Sequence, residues 1–169
     1  MKTTVDFITR PARLEDLEAI TAIYNSTIPT RMVTADTEPV TTESRKNWFY
    51  EHHPDKRPLW VMEKDNRIVG WLSFQSFYGR PAYDATAEIS IYIHYDYRKS
   101  GLGKRFLQFA IDQAPNIKVD TLLGFIFGHN TPSLQLFRQF GFEIWAQLPR
   151  IARLDGVERD LLIVGKRIA

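Results

Sequence analysis

No cysteine occurs anywhere in the chain of 169 residues. That absence excludes disulfide staples, thiolate metal sites and a thiol nucleophile together, and it fits a reducing compartment. Long apolar runs are missing as well. No stretch approaches the roughly 20 residues that cross a bilayer as a helix, and Met1 to Ala12 has charged residues and Pro11 but no apolar signal core. The expectation is a cytoplasmic protein with no membrane partner. Charge imbalance is slight: a formal net charge of +2 leaves no electrostatic footprint for nucleic acid, and the basic residues gather chiefly at one turn. They suit a small polyanion better than a duplex. Repeats and low-complexity tracts are absent, so the length reads as a single domain over 1–169, large enough to bury a core without a metal. No metal site is expected either, because His52 and His53 are adjacent, lack evident partner ligands, and precede Pro54 as at an exposed helix end.

What is present in excess is aromatic surface, 13% of residues with four tryptophans and seven tyrosines, apt for lining a pocket or a subunit interface. The organising stretch runs from Thr86 to Ala110. Isoleucines at 89, 91 and 93 alternate with Glu88, Ser90 and Tyr92, the period of a pleated strand. The turn Arg98-Lys99-Ser100-Gly101-Leu102-Gly103-Lys104-Arg105 follows, and Phe106, Leu107, Phe109, Ala110 and Ile111 then place an apolar face on a helix. Strand, glycine turn and helix together point to a phosphate cradle: glycines let backbone N–H groups approach phosphate oxygens, and the helix N-terminus and basic side chains add positive charge. A P-loop is excluded, since Gly101 and Gly103 are one residue apart and Lys104 precedes Arg105. Phe106 stands where the dinucleotide fingerprint needs its third glycine.

Around this stretch the chain reads as strand (Phe7 to Arg10), helix (Leu14 to Thr27), loop (Ile28 to Thr42), helix (Glu43 to His52) and a hairpin of Leu59–Glu63 with Ile68–Phe74. Gly70 marks a bulge or a close backbone approach. The connector Phe77-Tyr78-Gly79-Arg80-Pro81-Ala82-Tyr83-Asp84 is aromatic and cationic, and a substrate lip is expected there, with Arg80 as a fork of donors for an acid. Beyond the central helix come a buried strand (Leu122 to Phe127), a helix capped by Asn130 or Thr131 and stopped at Gly141, and a terminal hairpin turning at Asp155-Gly156.

The Arg-x-x-Gly-x-Gly turn after a glutamate strand resembles the coenzyme A pyrophosphate loop of the GNAT N-acetyltransferases. Asn130-x-x-Ser133 followed by Phe140-Gly141-Phe142 is similar to a second segment of that family, and the order of elements matches its fold over nearly the whole chain. The fold implied is α/β, a mixed, mostly antiparallel central sheet flanked by helices. Within the family, Ala82-Tyr83-Asp84-Ala85-Thr86-Ala87-Glu88 leading to Tyr92-Ile93 resembles the phosphinothricin acetyltransferase group, which also acts on methionine sulfoximine and methionine sulfone; the loop from Thr34 to Glu38 stands where that group has a substrate-side loop.

The resemblance implies acetyl-CoA as co-substrate, with the backbone of Ile91, Tyr92 and Ile93 pairing with pantetheine, residues Arg98, Lys99, Ser100, Gly101, Leu102, Gly103 and Lys104 around the pyrophosphate, and Asn130 and Ser133 further along the cofactor arm. Glu88 is implied as the base for a primary amine, because an ammonium has no lone pair with which to attack a thioester. Without cysteine the transfer is direct, and a backbone N–H near Ile91 faces the oxyanion. Phe77, Tyr78, Arg80, Tyr83 and Ser90 are the expected acceptor contacts, Arg80 and Tyr78 holding the acid end. One departure stands out. Phe137 occupies the place where many members have Tyr and the phosphinothricin group has His, so it donates no proton to the departing thiolate. The expected partners are a small amine and a second copy of the chain. The alternatives are a peptide N-terminal acetyltransferase, which needs an open groove, and a non-catalytic acetyl-CoA-binding module.

Overall fold

The computed structural model describes residues 6–168; residues 1–5 and Ala169 of the expected domain lie outside it. Its strands are β1 (Ile8–Pro11), β2 (Leu59–Lys64), β3 (Arg67–Ser76), β4 (Thr86–Ile93), β5 (Thr121–Phe127), β6 (Glu143–Leu154) and β7 (Val157–Arg167), and its helices are α1 (Leu17–Thr27), α2 (Lys46–Tyr50), α3 (Leu102–Gln113) and α4 (Thr131–Gln139). They form one seven-stranded sheet in the order β1-β2-β3-β4-β5-β7-β6. All neighbours are antiparallel except β4 and β5. The α/β architecture with a mixed, mostly antiparallel sheet is as the sequence leads one to expect.

The strict alternation of β4 decides what lies on each face of the sheet. Ala87 and Ile89 join Phe106, Leu107 and Ala110 of α3 and Phe137 of α4 in the larger core. The opposite face carries Glu88, Ser90 and Tyr92 beside Gln75, Ser73 and Trp71 of β3. There Trp71, with Ile20, Ile23 and Tyr24 of α1, builds a second core. The Trp71 ring stacks on Tyr92 with centroids 4.5 Å apart, and its indole N–H donates to the Ile20 carbonyl. Gly70 answers to both expectations: β2 and β3 slip register beside it, and a Cβ there would stand 2.8 Å from Phe106.

Parallel pairing between β4 and β5 covers only Thr86 to Glu88 against Thr121 to Leu123. Beyond Leu123, β5 continues its ladder with β7 alone. The two strands diverge, and the edge of β4 from Ile89 to Ile93 opens onto a groove.

The second helix differs from expectation. Only Lys46–Tyr50 is α-helical, after a single 3-10 turn at Glu43–Arg45, and no side chain caps either piece. The Thr41 hydroxyl takes only the Ser44 N–H at the start of this segment, and with Pro54 close by its propensity does not sustain a longer helix. His52 is not an exposed helix end. Its ring is half-buried against Trp48, and burial pushes its pKa down, which leaves the ring neutral with Nδ1–H donating to the Trp48 carbonyl at 2.8 Å.

Candidate active site

The groove between the diverging strands has a volume of about 170 Å³, with Ile91, Tyr92 and Ile93 on one side, Gly124 and Phe125 on the other, and Gly103, Asn130, Ser133 and Phe137 across its floor and end. Its shape follows from residue size. A Cβ on Gly124 would lie 2.8 Å from the Phe137 ring, and one on Gly103 would lie 3.2 Å from Leu136. At its far end the basic turn enters α3 through Gly101, in the left-handed region at φ 85°, preceded by Lys99 at φ 61°. No side chain caps this helix, so the first-turn N–H groups of Leu102, Gly103 and Lys104 face outward, as an anion-binding helix start requires. Leu102 gives this cradle only its backbone, since its side chain is buried in the core. Arg98, Lys99 and Ser100 are exposed around it.

Asn130 serves structure as well as the groove. Its Oδ1 accepts from the Ser133 N–H at the start of α4, and its Nδ2 donates to the Met32 carbonyl. His129 Nε2 lies 2.8 Å from the Arg31 carbonyl, while the Arg31 guanidinium pairs with Asp155 at 2.8 Å and donates to Thr37 O. These contacts hold the stretch around residues 31–37 as a fixed wall. Thr34 is buried and bonded to the Tyr24 hydroxyl, which also donates to Asp36.

Glu88 is half-buried, and burial alone pushes its carboxyl above the ordinary range. Among the described residues no side chain bonds to it. On its β5 side lies a cavity of about 430 Å³ lined by Thr34, Ala35, Ser90, Tyr92, Phe125, Phe127, Ile151, Ala152 and Leu161. The structure thus brings Glu88, Ser90 and Tyr92 together with the groove. Four expected acceptor residues lie elsewhere. Phe77, Tyr78 and Tyr83 pack edge-to-face or tilted against one another with centroids 4.5 to 6.1 Å apart, and neither they nor Arg80 line the cavities beside Glu88. Tyr78 and Gly79 both have positive φ, which turns the loop outward and leaves Tyr78 78% exposed. In their place the cavity takes Phe125, Phe127, Ala152 and Leu161, which read in the sequence as plain strand residues; nothing local marks them.

This groove, cradle and carboxylate agree with what comparison finds. The profile of the Acetyltransferase (GNAT) family matches residues 18–142. The chain belongs to that family. It is 53% identical over 161 residues to YwnH of Bacillus subtilis, a candidate phosphinothricin acetyltransferase, covering 95% of this chain and 98% of that one. It is 29% identical to the L-methionine sulfoximine/L-methionine sulfone acetyltransferase of Pseudomonas aeruginosa, over 90% of this chain and 89% of the relative. Among solved structures, a Salmonella typhimurium acetyltransferase candidate with its cofactor acetyl-CoA superposes with a TM-score of 0.89 at 26% identity, covering 96% of this chain and 94% of that one. The protein is an acetyl-CoA-dependent acetyltransferase, and the open β4 edge, the uncapped start of α3 and the glycine-floored groove fit that co-substrate. No helix among the described residues is long and apolar enough to cross a membrane.

Proposed function

We propose that the chain acetylates the primary amine of a small amino-acid-like acid, of the phosphinothricin, methionine sulfoximine or methionine sulfone kind, by direct attack. The observation that supports this best is the position of Glu88 at the last paired residue before β4 and β5 part, in the wall of a half-open cavity that shares Ser90 and Tyr92 with the groove.

In this reading the backbone of Ile91 to Ile93 holds the pantetheine arm as an added strand, residues 98–104 hold the pyrophosphate, and Asn130 and Ser133 border the arm. Acetyl-CoA supplies an activated acetyl thioester. Glu88 takes the proton from the acceptor ammonium, directly or through a water, and burial, by raising its carboxyl pKa, makes it a stronger base than an exposed glutamate. A backbone N–H near Ile91 faces the developing negative oxygen. Phe137 offers no proton, and a thiolate is acceptable as a leaving group without one, since thiols are acidic near neutral pH. The loop from Phe77 to Tyr83, with Arg80, forms an outer rim, meeting the site through Gly79. Lack of cysteine supports a cytoplasmic setting. A homodimer is supported by the outer strand β6, whose Ile144, Trp145 and Ile151 are exposed.

The test is thiol release from acetyl-CoA with phosphinothricin, methionine sulfoximine, methionine sulfone, ordinary amino acids, polyamines and peptides as acceptors. Saturable release with the small acids and none with peptides is expected. Glu88→Gln should lower kcat by about 10²-fold or more at neutral pH while acetyl-CoA affinity stays within about twofold; equal turnover in the two proteins removes Glu88 from the mechanism.

A further inference from the structure

Glu88 has a second cavity, on its β3 side, and its chemistry differs from the first. It measures about 380 Å³ and is lined by polar groups, among them His52, Arg57, Gln75 and Ser76. Gln75 is the direct cross-strand neighbour of Glu88, so the amide and the carboxylate stand side by side on one face. Arg57 is 5% exposed. Its Nε donates to Ser76 Oγ at 3.0 Å, Nη1 to the Lys56 carbonyl at 2.8 Å, and Nη2 to the carbonyls of Asp84 and Thr86 at 2.8 and 3.4 Å. Those acceptors are all neutral and use four of the five N–H groups of a guanidinium. Among the described residues no carboxylate forms an ion pair with it. Burial pulls its pKa down against the weaker opposing charge of Asp84, which makes no ion pair with it, and an anion entering the cavity would offset that penalty. Of the two carboxylates in its wall, Glu51 is exposed and so screened by solvent, and Glu88 borders both cavities alike.

The β5-side cavity has the opposite character. Apart from Glu88 it has no charged wall residue, and Phe125, Phe127, Ile151 and Leu161 make most of it apolar. An acid group there would meet apolar walls and no cation, whereas the β3-side cavity offers Arg57.

An α-amino acid carries its amine, its carboxylate and its side chain on one carbon. We propose that Glu88 stands at the fork of a two-lobed acceptor site, in which the β3-side cavity, through Gln75 and Arg57, receives the carboxylate and the β5-side cavity receives an uncharged side chain. The assignment rests on the amine acetylation proposed above. It narrows the acceptor class to α-amino acids with a neutral side chain. Methionine sulfone is then a better acceptor than phosphinothricin, whose side chain bears a second anion.

The test compares methionine sulfone with its carboxylate-free amine counterpart as acceptors for wild type, Gln75→Leu and Gln75→Glu. Either substitution should cost about tenfold more in kcat/KM on the amino acid than on the amine, chiefly through KM. Equal losses on both acceptors overturn the fork, as does a wild-type preference for phosphinothricin over methionine sulfone. If no acceptor is turned over, the proposed function fails, and the fork is then read by calorimetry of methionine sulfone binding to the protein with coenzyme A. Affinity reduced about fivefold or more by Gln75→Glu supports it; unchanged affinity, or no binding to wild type, overturns it.

Discussion

Glu88 combines its proposed role as base with a cost to the fold. Burial holds its folded pKa above the ordinary carboxylate value, so the folded chain keeps a proton over a window in which the unfolded chain has lost it. Stability is therefore undiminished below the ordinary value and falls as pH rises through the folded one. Glu88→Gln should match wild type in acid and melt higher at neutral pH, while losing activity there. Thermal denaturation at the two pH values checks the sign; a lower melting temperature at neutral pH would mean that the carboxylate makes a stabilising contact. Gly124 is the other residue whose effect can be stated. A Cβ there meets the Phe137 ring, so Gly124→Ala should push that ring into the groove and raise KM for acetyl-CoA several-fold, with kcat changed less. Steady-state kinetics at varied acetyl-CoA decide it.

Arg10 ties β1 to its neighbours. Its guanidinium binds Asp16 at 2.7 and 3.0 Å and Glu63 at 3.0 Å, and Asp16 also accepts the Arg13 N–H at 2.7 Å. Burial opposes ionisation of Asp16, yet the Arg10 and Arg13 bonds outweigh it and hold its pKa below the ordinary value. The stabilisation is therefore full above the ordinary carboxylate pKa and is lost as pH falls through the lowered one. Asp16→Asn should cost about 2 kcal/mol at neutral pH, with the gap to wild type closing in strong acid, measurable by urea unfolding. Elements of this kind were unevenly legible. The β2–β3 hairpin, with Asp65 and Asn66 at positive φ, and the β6–β7 hairpin, with Asp155 and Gly156 likewise, follow from local turn chemistry. The short α2 does not, because the segment after it is shaped by the bonds of Arg57 to Ser76 of β3 and Thr86 of β4, far along the chain.

For the whole molecule, the open question of assembly centres on β6. It is the outer strand of the sheet, and its exposed Ile144, Trp145 and Ile151 are the apolar, unpaired edge that proteins ordinarily cover or blunt. The Trp145 ring lies directly over Gly165 of β7, where an added Cβ would fall 2.1 Å from it. Ile144→Lys combined with Ile151→Lys should convert the proposed dimer to a monomer in sedimentation velocity without unfolding it. A wild-type chain that sediments as a monomer would remove the dimer.

Periodicity, turn residues and glycine spacing determined on their own the order of elements, the faces of β4 and the cradle at Gly101 and Gly103, because each of these is set within one or two turns of chain. The places of Glu88 on β4 and of Asn130 and Ser133 at the start of α4 were readable for the same reason. Only tertiary structure decided the two cavities beside Glu88. Leu161 and Ile151 reach the Glu88 site from the terminal hairpin, Thr34 and Ala35 from a wall held by His129, Asn130 and Asp155, and Gln75 by its register against β4. Their distance along the chain hides them from any local pattern. The outward turn at Tyr78 and Gly79 likewise carries the aromatic loop away from the β5-side cavity, although its composition suits a pocket wall.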